Sequence, residues 1–413
     1  MKPRILIHTV VFAPDGDSTA YLYNDIALKL QEKGYDVVVL TTTPHYNIVE
    51  EEVQKQHLRW KVWGICKMSR YNGITVLHIP QKKFNNTFLR LLGFVYWHFI
   101  SFFVGLYIGH VDIIISPSPP LTIGLLNVLF AKLKHCKTIY NIQEVYPDIL
   151  KLKDGLVLSV LKWMEKKVYN RSDAVTIIDK LYYDVISSRM KDPSKLRIIP
   201  NFVDTKLYHR IDWKQILNQS TFPQSDSIKL LYAGNIGLAQ SWETLVYLAD
   251  RTRDLNVEYI IIGDGVKRGF LEDEVRNRDL KKVHIMPYIS RDLMPAVISY
   301  SDASFIFMKP EMDGCGFPSK VYTIMACEKP LLILSSEHTP LFNFMKDIGC
   351  AKLVTETDYD KQIEEMTIWL SNVSKQELAL MGEKGLSVIE ANYTTEKVTD
   401  LYVALVGEVI GAM

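Results

Sequence analysis

The sequence predicts an α/β protein built from two Rossmann-like parallel-sheet domains, with helices at its C-terminal end. From Leu230 to Pro330 it runs strand, glycine turn and helix three times over. The segments are Leu230-Leu-Tyr-Ala-Gly-Asn-Ile-Gly237, Val257-Glu-Tyr-Ile-Ile-Ile-Gly-Asp-Gly265, and Gly314-Cys-Gly-Phe-Pro-Ser-Lys320 leading into Val321 to Cys327. Apolar runs of strand length that stop at glycine and restart as helices mark parallel sheets, whose ligands sit at the strands' carboxyl ends. The N-terminus opens with the same βαβ order, and 413 residues exceed one hydrophobic core but suit two.

Taken in order, Arg4 to Val11 reads as a buried first strand. The loop Phe12-Ala-Pro-Asp-Gly-Asp-Ser-Thr19 leads into a helix from Ala20 to Lys33, which Gly34 stops, and Asp36 to Thr41 is the second strand. Further strands are expected at Ile74 to Ile79, Asp112 to Ser116, Lys137 to Asn141, Ala174 to Ile178 and Arg197 to Pro200. The polar, weakly patterned stretch 205–227 reads as a hinge. Beyond it, strands are expected at Lys229 to Ala233, Tyr259 to Ile262, Val283 to Met286, Ala303 to Phe307 and Leu331 to Leu334, and Lys375 to Val406 looks helical.

Composition excludes some functions. Forty-eight Lys and Arg against 47 Asp and Glu give a net charge of +1, so no global basic field argues for nucleic acid. Cys66, Cys136, Cys315, Cys327 and Cys350 are scattered without metal-ligand or disulfide spacing, and the ten histidines show no metal spacing either. A reducing, cytoplasmic setting is expected, since the N-terminus lacks the apolar core of a signal peptide.

The order of the pieces resembles glycosyltransferase family 4, retaining enzymes of the GT-B fold with two Rossmann-like domains facing a cleft. The resemblance spans essentially the whole chain. It rests on Phe12-Ala-Pro-Asp15, Ser172-Asp-Ala-Val175, Ile199-Pro-Asn-Phe-Val-Asp204, Gly234-Asn-Ile-Gly237, Ile262-Gly-Asp-Gly265, Tyr300-Ser-Asp-Ala303 and Met325-Ala-Cys-Glu-Lys-Pro330. Gly234-Asn-Ile-Gly-Leu-Ala-Gln240, Pro318-Ser-Lys320 and Gln143-Glu-Val-Tyr-Pro-Asp148 are more specifically similar to the branch that builds O-antigen, capsule and colanic-acid units, including acetamido-fucose transferases. The resemblance implies an acceptor-side domain over 1–204, a nucleotide-sugar domain over 228–390, and a final helix over 391–413 packing back on the first domain.

Breaking a sugar–diphosphate bond leaves negative charge on the departing phosphate, so preorganised donors there should be the largest catalytic contribution. Pro318-Ser-Lys320 leads into an apolar helix, where backbone N–H groups and the Lys320 ammonium could converge on a diphosphate. The blander reading of Lys320 is a solvated lysine opposing the helix dipole. Against the wider family, two glutamates are absent, their positions aligning with Cys315 and Thr323. An arginine and a lysine are also absent where Asn235 and Gln240 stand. Lys320 and Arg268 can resupply positive charge, and Glu311 lies near one lost glutamate. Asn235 and Gln240 then touch the donor, the alternative for Asn235 being a left-handed turn residue.

Gly263-Asp264-Gly265 at a strand end lets backbone approach a ligand closely. By resemblance, Gly234, Gly237, Gly316, Phe317 and Ser319 also line the donor, and the backbone of Tyr288 and Ile289 reads the base, expected to be uracil. Arg268 is either a phosphate contact or a solvated helix charge. On the acceptor side, Glu144 follows a strand, where a carboxylate could take a hydroxyl proton or hold the acceptor. Asp17, Ser18 and Thr19 are further candidates. Asp15-Gly-Asp17 spells an Asp-x-Asp metal motif but lies in the acceptor half, so no metal is expected.

Phe88 to Gly109 is nearly continuous apolar sequence, long enough to cross a bilayer. It lies between two strands of one sheet, so it is expected to pack on that sheet, with exposed Phe, Trp and Tyr in the lipid interface and Lys82, Lys83 and Arg90 at headgroups. The alternative is core packing alone. A polyprenyl-diphosphate-linked saccharide at the inner leaflet fits the interfacial reading as acceptor. Two rival readings are a nucleotide-sugar epimerase of the same fold and a non-catalytic nucleotide-sugar-binding partner.

Overall fold

The computed structural model describes residues 2–45, 50–62, 64–81, 86–310 and 317–411. Two compact units result, one of Met1–Asn201 with Glu396–Met413 and one of Phe202–Thr395. The first carries β1 (Arg4–His8), α1 (Ser18–Glu32), β2 (Asp36–Thr42), α2 (Glu50–Lys55), β3 (Arg59–Lys61), β4 (Cys66–Tyr71) and β5 (Ile74–Ile79). It continues with α3 (Thr87–Tyr107), β6 (Ile113–Ser118), α4 (Leu121–Lys134), β7 (Lys137–Ile142), α5 (Leu156–Arg171), β8 (Ala174–Ile177), α6 (Lys180–Ser187) and β9 (Leu196–Ile198). The second carries β10 (Ile228–Ala233), α7 (Trp242–Arg251), β11 (Val257–Ile262), α8 (Arg268–Asn277), β12 (Val283–Met286), α9 (Met294–Tyr300) and β13 (Ala303–Phe307). After these come α10 (Lys320–Ala326), β14 (Leu331–Leu334), α11 (Pro340–Met345), β15 (Ala351–Val354), α12 (Tyr359–Asn372) and α13 (Lys375–Asn392). The last helix, α14 (Thr395–Gly411), belongs to the first unit, where Asp400 pairs with Lys29 at 3.2 Å.

The first sheet is ordered β3-β4-β5-β2-β1-β6-β7-β8-β9 and the second β12-β11-β10-β13-β14-β15. The second is parallel throughout; the first is parallel except where β3, β4 and β5 pair antiparallel. Its central strands are apolar because helices cover both faces: Ile5, Leu6, Ile7, Ile113, Ile114 and Ile115 are fully buried. Sequence reading missed β3, β4 and β15. The signal for β4–β5 was present, since Asn72 and Gly73 both take positive φ and form the two-residue turn that a tight hairpin needs. Glycine at Gly105 lets α3 press on α4, where an added Cβ would stand 2.4 Å from the Phe130 ring.

Two structural expectations need correction. The stretch 205–227 is no free linker: Tyr208, Leu217 and Phe222 join the core of the second unit, Trp213 and Phe222 pack on the Tyr300 ring, and the Tyr300 hydroxyl donates to the Pro223 carbonyl at 2.6 Å. Enough aromatic and aliphatic groups lie among its polar residues to anchor it. The chain passes between units at Asn201–Phe202 and Thr395–Glu396 instead. On α3, Trp97 does not face outward. It is 1% exposed and stacks on the His8 ring at 5.2 Å, because the helix turns one stripe inward onto β1. Lys82 and Lys83 lie outside the described residues, and Arg90 is exposed.

Two buried histidines make the first unit acid-sensitive. The His8 Nδ1–H donates to the Asn127 side-chain oxygen at 2.7 Å, and His78 lies between the Thr42 carbonyl and the Ser69 hydroxyl. Burial pulls both imidazoles down to about 4. An unfolded histidine titrates near about 6.5, so the unfolded chain takes up protons that the folded one refuses between that pH and about 4. Stability should hold above that window and fall as pH drops through it, by up to about 3 kcal/mol per histidine. Urea unfolding of wild type and a His8→Asn, His78→Gln variant over this range checks it; the variant should show a shallower slope, and an equal slope refutes the assignment.

Candidate functional site

The candidate donor site grows from the carboxyl ends of β10 and β11. Two loops leave these strands and are laced together: the Gly234 amide donates to the Ile262 carbonyl at 2.9 Å, the Ile236 amide to the Asp264 carbonyl at 2.8 Å, and the Lys267 amide to the Ile236 carbonyl at 2.9 Å. Such contact tolerates no side chain. A Cβ on Gly263 would lie 1.9 Å from the Gly234 carbonyl oxygen, and one on Gly265 would lie 2.4 Å from that of Ile236. Gly234, Gly263 and Gly265 also take positive φ, of 142°, 143° and 156°, where L side chains are strained. The Trp242 indole steadies the first loop by donating to the Gly237 carbonyl at 2.8 Å.

Into this cradle comes Lys320, the first residue of α10. Its ammonium stands 3.9 Å from the centre of the Tyr232 ring, and a Cβ on Gly234 would meet it at 2.8 Å. The Tyr232 hydroxyl donates to the Asn235 carbonyl at 2.7 Å, so one buried tyrosine both fixes the loop and supports the cation. Sequence reasoning missed Tyr232; its one signal was a hydroxyl-bearing ring in an otherwise aliphatic strand. Burial lowers the Lys320 ammonium to about 8. Other cations nearby are engaged: Lys267 and Lys309 both pair with Glu243 at 3.4 Å, and Arg268 pairs with Glu272 at 2.8 Å. The Lys320 ammonium has no hydrogen-bond or ion-pair partner among the described residues.

The remaining predicted donor residues divide. Asn235 is exposed, and its side chain lies between Gly237 and Gly265; its φ is not positive, so the left-handed-turn alternative is wrong and Gly234 carries that conformation. Gln240 is partly committed, its Oε1 accepting the Phe307 amide at 3.0 Å. Arg268 is neither a solvated charge nor a free phosphate contact, because its guanidinium donates to the Gly263 and Met286 carbonyls and braces two strand ends. Thr323 turns back to donate to the Lys320 carbonyl at 2.9 Å. Asp264 accepts the Gly265 amide at 2.7 Å. Tyr288 is 69% exposed, while Ile289 packs on the core. Phe317 packs on Tyr322 and Phe344, and Ser319 is exposed at the start of α10. Cys315, Gly316 and Glu311 lie outside the described residues.

In the first unit, Glu144 follows β7 and is half-buried. Burial and then the Asp17 carboxylate raise its carboxyl above the ordinary range, and Glu144 in turn helps raise Tyr146. Asp17 caps α1, accepting the Thr19 amide at 2.8 Å, and Ser18 is exposed at the helix start. The structure therefore gathers Glu144 and Asp17, as two like charges at the ends of β7 and the first loop. Asp15 is buried and accepts the His45 amide at 2.8 Å, so each carboxylate of Asp15-Gly-Asp17 tethers backbone.

Comparison with known proteins agrees with this architecture. Residues 21–207 match the family model Glycosyltransferase Family 4, and residues 214–385 match Glycosyl transferases group 1. A relative from Escherichia coli, named putative colanic acid biosynthesis glycosyl transferase WcaI, is 24% identical over 82% of this chain and 84% of its own. Another, probable glycosyltransferase WbjE from Pseudomonas aeruginosa, is 21% identical over 68% and 71%. Among solved structures, sucrose-phosphate synthase from Thermosynechococcus elongatus superposes with TM-score 0.75 at 15% identity, covering 100% of both chains. Anabaena HepE, solved in complex with UDP, gives 0.71 at 11% identity over 99% and 100%. The fold is the GT-B fold, two parallel-sheet units with helices closing the chain. The chain belongs to glycosyltransferase family 4.

The Gly263→Ala variant should lose about 2 kcal/mol or more of stability and weaken nucleotide binding, since both the positive φ and the 1.9 Å approach must yield. Thermal melts with and without nucleotide measure it. For Lys320, the cation is present below about pH 8 and lost above, so wild-type affinity for a nucleoside diphosphate should fall as pH rises past that value. In Lys320→Met that dependence should vanish in titrations across the same range.

Proposed function

We propose that the protein is a retaining glycosyltransferase that moves a sugar, such as an acetamido-deoxy sugar, from a UDP-sugar to a lipid-linked saccharide in bacterial surface polysaccharide synthesis. The observation that carries the reading is the Lys320 ammonium, held over Tyr232 beside the exposed backbone of Gly234. A cation with no carboxylate partner among the described residues, set where two glycine loops bare their backbone, suits a diphosphate. As the bond from the sugar's anomeric carbon to phosphate breaks, the leaving diphosphate gains charge, and Lys320 stabilises it without reorganising. Exposed Tyr288 offers a ring for the base.

Relatives support the finer points by their names: WcaI is named for colanic acid biosynthesis and HepE was solved with UDP. Glu144, raised by burial and by Asp17, serves the acceptor hydroxyl. No metal enters this reading, since Lys320 supplies the charge that a divalent ion supplies elsewhere. The acceptor is a polyprenyl-diphosphate-linked saccharide, and the protein works in the cytoplasm as a peripheral protein on the inner leaflet.

Calorimetric titration with UDP, GDP, CMP and dTDP, in chelator and then with magnesium, tests the donor half. UDP should bind preferentially without metal, and Lys320→Ala should cost about 1.5–3 kcal/mol of that affinity. Unchanged affinity in Lys320→Ala removes Lys320 from the site. Binding to none of the four would favour a non-catalytic protein instead.

A further inference from the structure

The first unit presents an apolar face that spans three neighbouring helices. On α3, Phe88, Val95 and Phe99 are exposed at 66%, 57% and 61%, and the opposite stripe, with Trp97 and Val104, is buried on the sheet. Next to it stands α4, joined through the stacked Phe102 and Phe130 rings at 5.8 Å and through Lys134, which donates to the Leu106 and Gly109 carbonyls. It adds exposed Leu133. Beyond α4 lies α5, packed so closely that a Cβ on Gly124 would stand 2.7 Å from Val168. It adds exposed Leu156 and Trp163, seven residues apart and so on one side of the helix. Three helices packed side by side thus expose more large apolar side chains than a solvated face requires.

Its charge is one-sided. The three helices hold one acid, Glu165, which is buried and bonded to Arg189 at 2.7 Å. Lys132 on α4 and Lys162, Lys166 and Lys167 on α5 are exposed beside the apolar residues, with Lys167 lying over the Trp163 ring. In a chain whose net charge is only +1, this concentration of lysine is local. We infer that α3, α4 and α5 together form a docking face for an anionic lipid bilayer, the apolar side chains entering the interface and the lysines meeting headgroups. A second copy of the same face would bring lysine against lysine, and so fits the charge badly. The inference deepens the proposed membrane-bound acceptor, on which its biological sense rests, by extending the contact from one helix to three.

Cosedimentation of the full chain with vesicles tests it. Binding to vesicles with about 30% anionic phosphatidylglycerol should be at least tenfold tighter than to phosphatidylcholine alone and should weaken as salt rises, as screening requires. Phe99→Asp on α3 and the pair Leu156→Ser, Trp163→Ser on α5 should each cut binding at least tenfold, and Lys162→Glu with Lys166→Glu should abolish the preference for anionic lipid. These residues are exposed, and an unchanged UDP titration in the same samples certifies folding. The inference is overturned if wild type ignores anionic vesicles, if the α5 variants bind as wild type does, or if ultracentrifugation shows a dimer that Phe99→Asp dissociates. UDP binding without vesicle binding sinks the docking face alone; vesicle binding without UDP binding sinks the donor reading alone.

Discussion

Backbone contact between the loops after β10 and β11 is the constraint on which the donor half depends. Three amide-to-carbonyl bonds lace Gly234–Gly237 to Ile262–Lys267, and the Gly263 and Gly265 positions leave no room for even a methyl group. The contact does two things at once. It brings bare backbone to the strands' carboxyl ends, and it opens a space of one side chain's width above Gly234, into which the Lys320 ammonium fits. Replace Gly263 or Gly265 and the loops must part, which moves the floor on which the cation rests.

The charges around that floor are sorted by partner. Glu243 engages Lys267 and Lys309, Glu272 engages Arg268, and Arg268 in turn spends its other bonds on the carbonyls of Gly263 and Met286. Lys320 instead rests on the face of Tyr232, a weaker and non-neutralising support. An anion arriving there therefore meets a cation that is positioned but not paid off by a carboxylate among the described residues. The charge of Lys320 is placed by a strand tyrosine and a tight loop.

A single helix illustrates the same economy in the other unit. By length and composition α3 could cross a bilayer. Its inward stripe instead meets β1 through Trp97 on His8, and meets α4 through Phe130 at Gly105. The two strands it joins, β5 and β6, lie in one sheet, so the helix must return to it. The outward stripe stays apolar regardless.

The positions of most strands along the chain, and many of their bounds, were legible because the signal is local: apolar runs ending at glycine need no knowledge of partners. Val283–Met286, Ala303–Phe307 and Leu331–Leu334 were read with the bounds they have. The edge strand β3 is too short for a period, and the packed stretch 205–227 looked like a linker because its anchors are scattered among polar residues. At the site, glycine spacing announced that backbone comes close to something, and Lys320 stood out by its place before an apolar helix. Chain folding alone could tell that Arg268 is consumed by carbonyls, that Thr323 turns back on its own helix, that Trp97 faces inward and that Tyr232 carries the cation. Each of those facts depends on a neighbour distant in sequence, and no local pattern encodes which neighbour that will be.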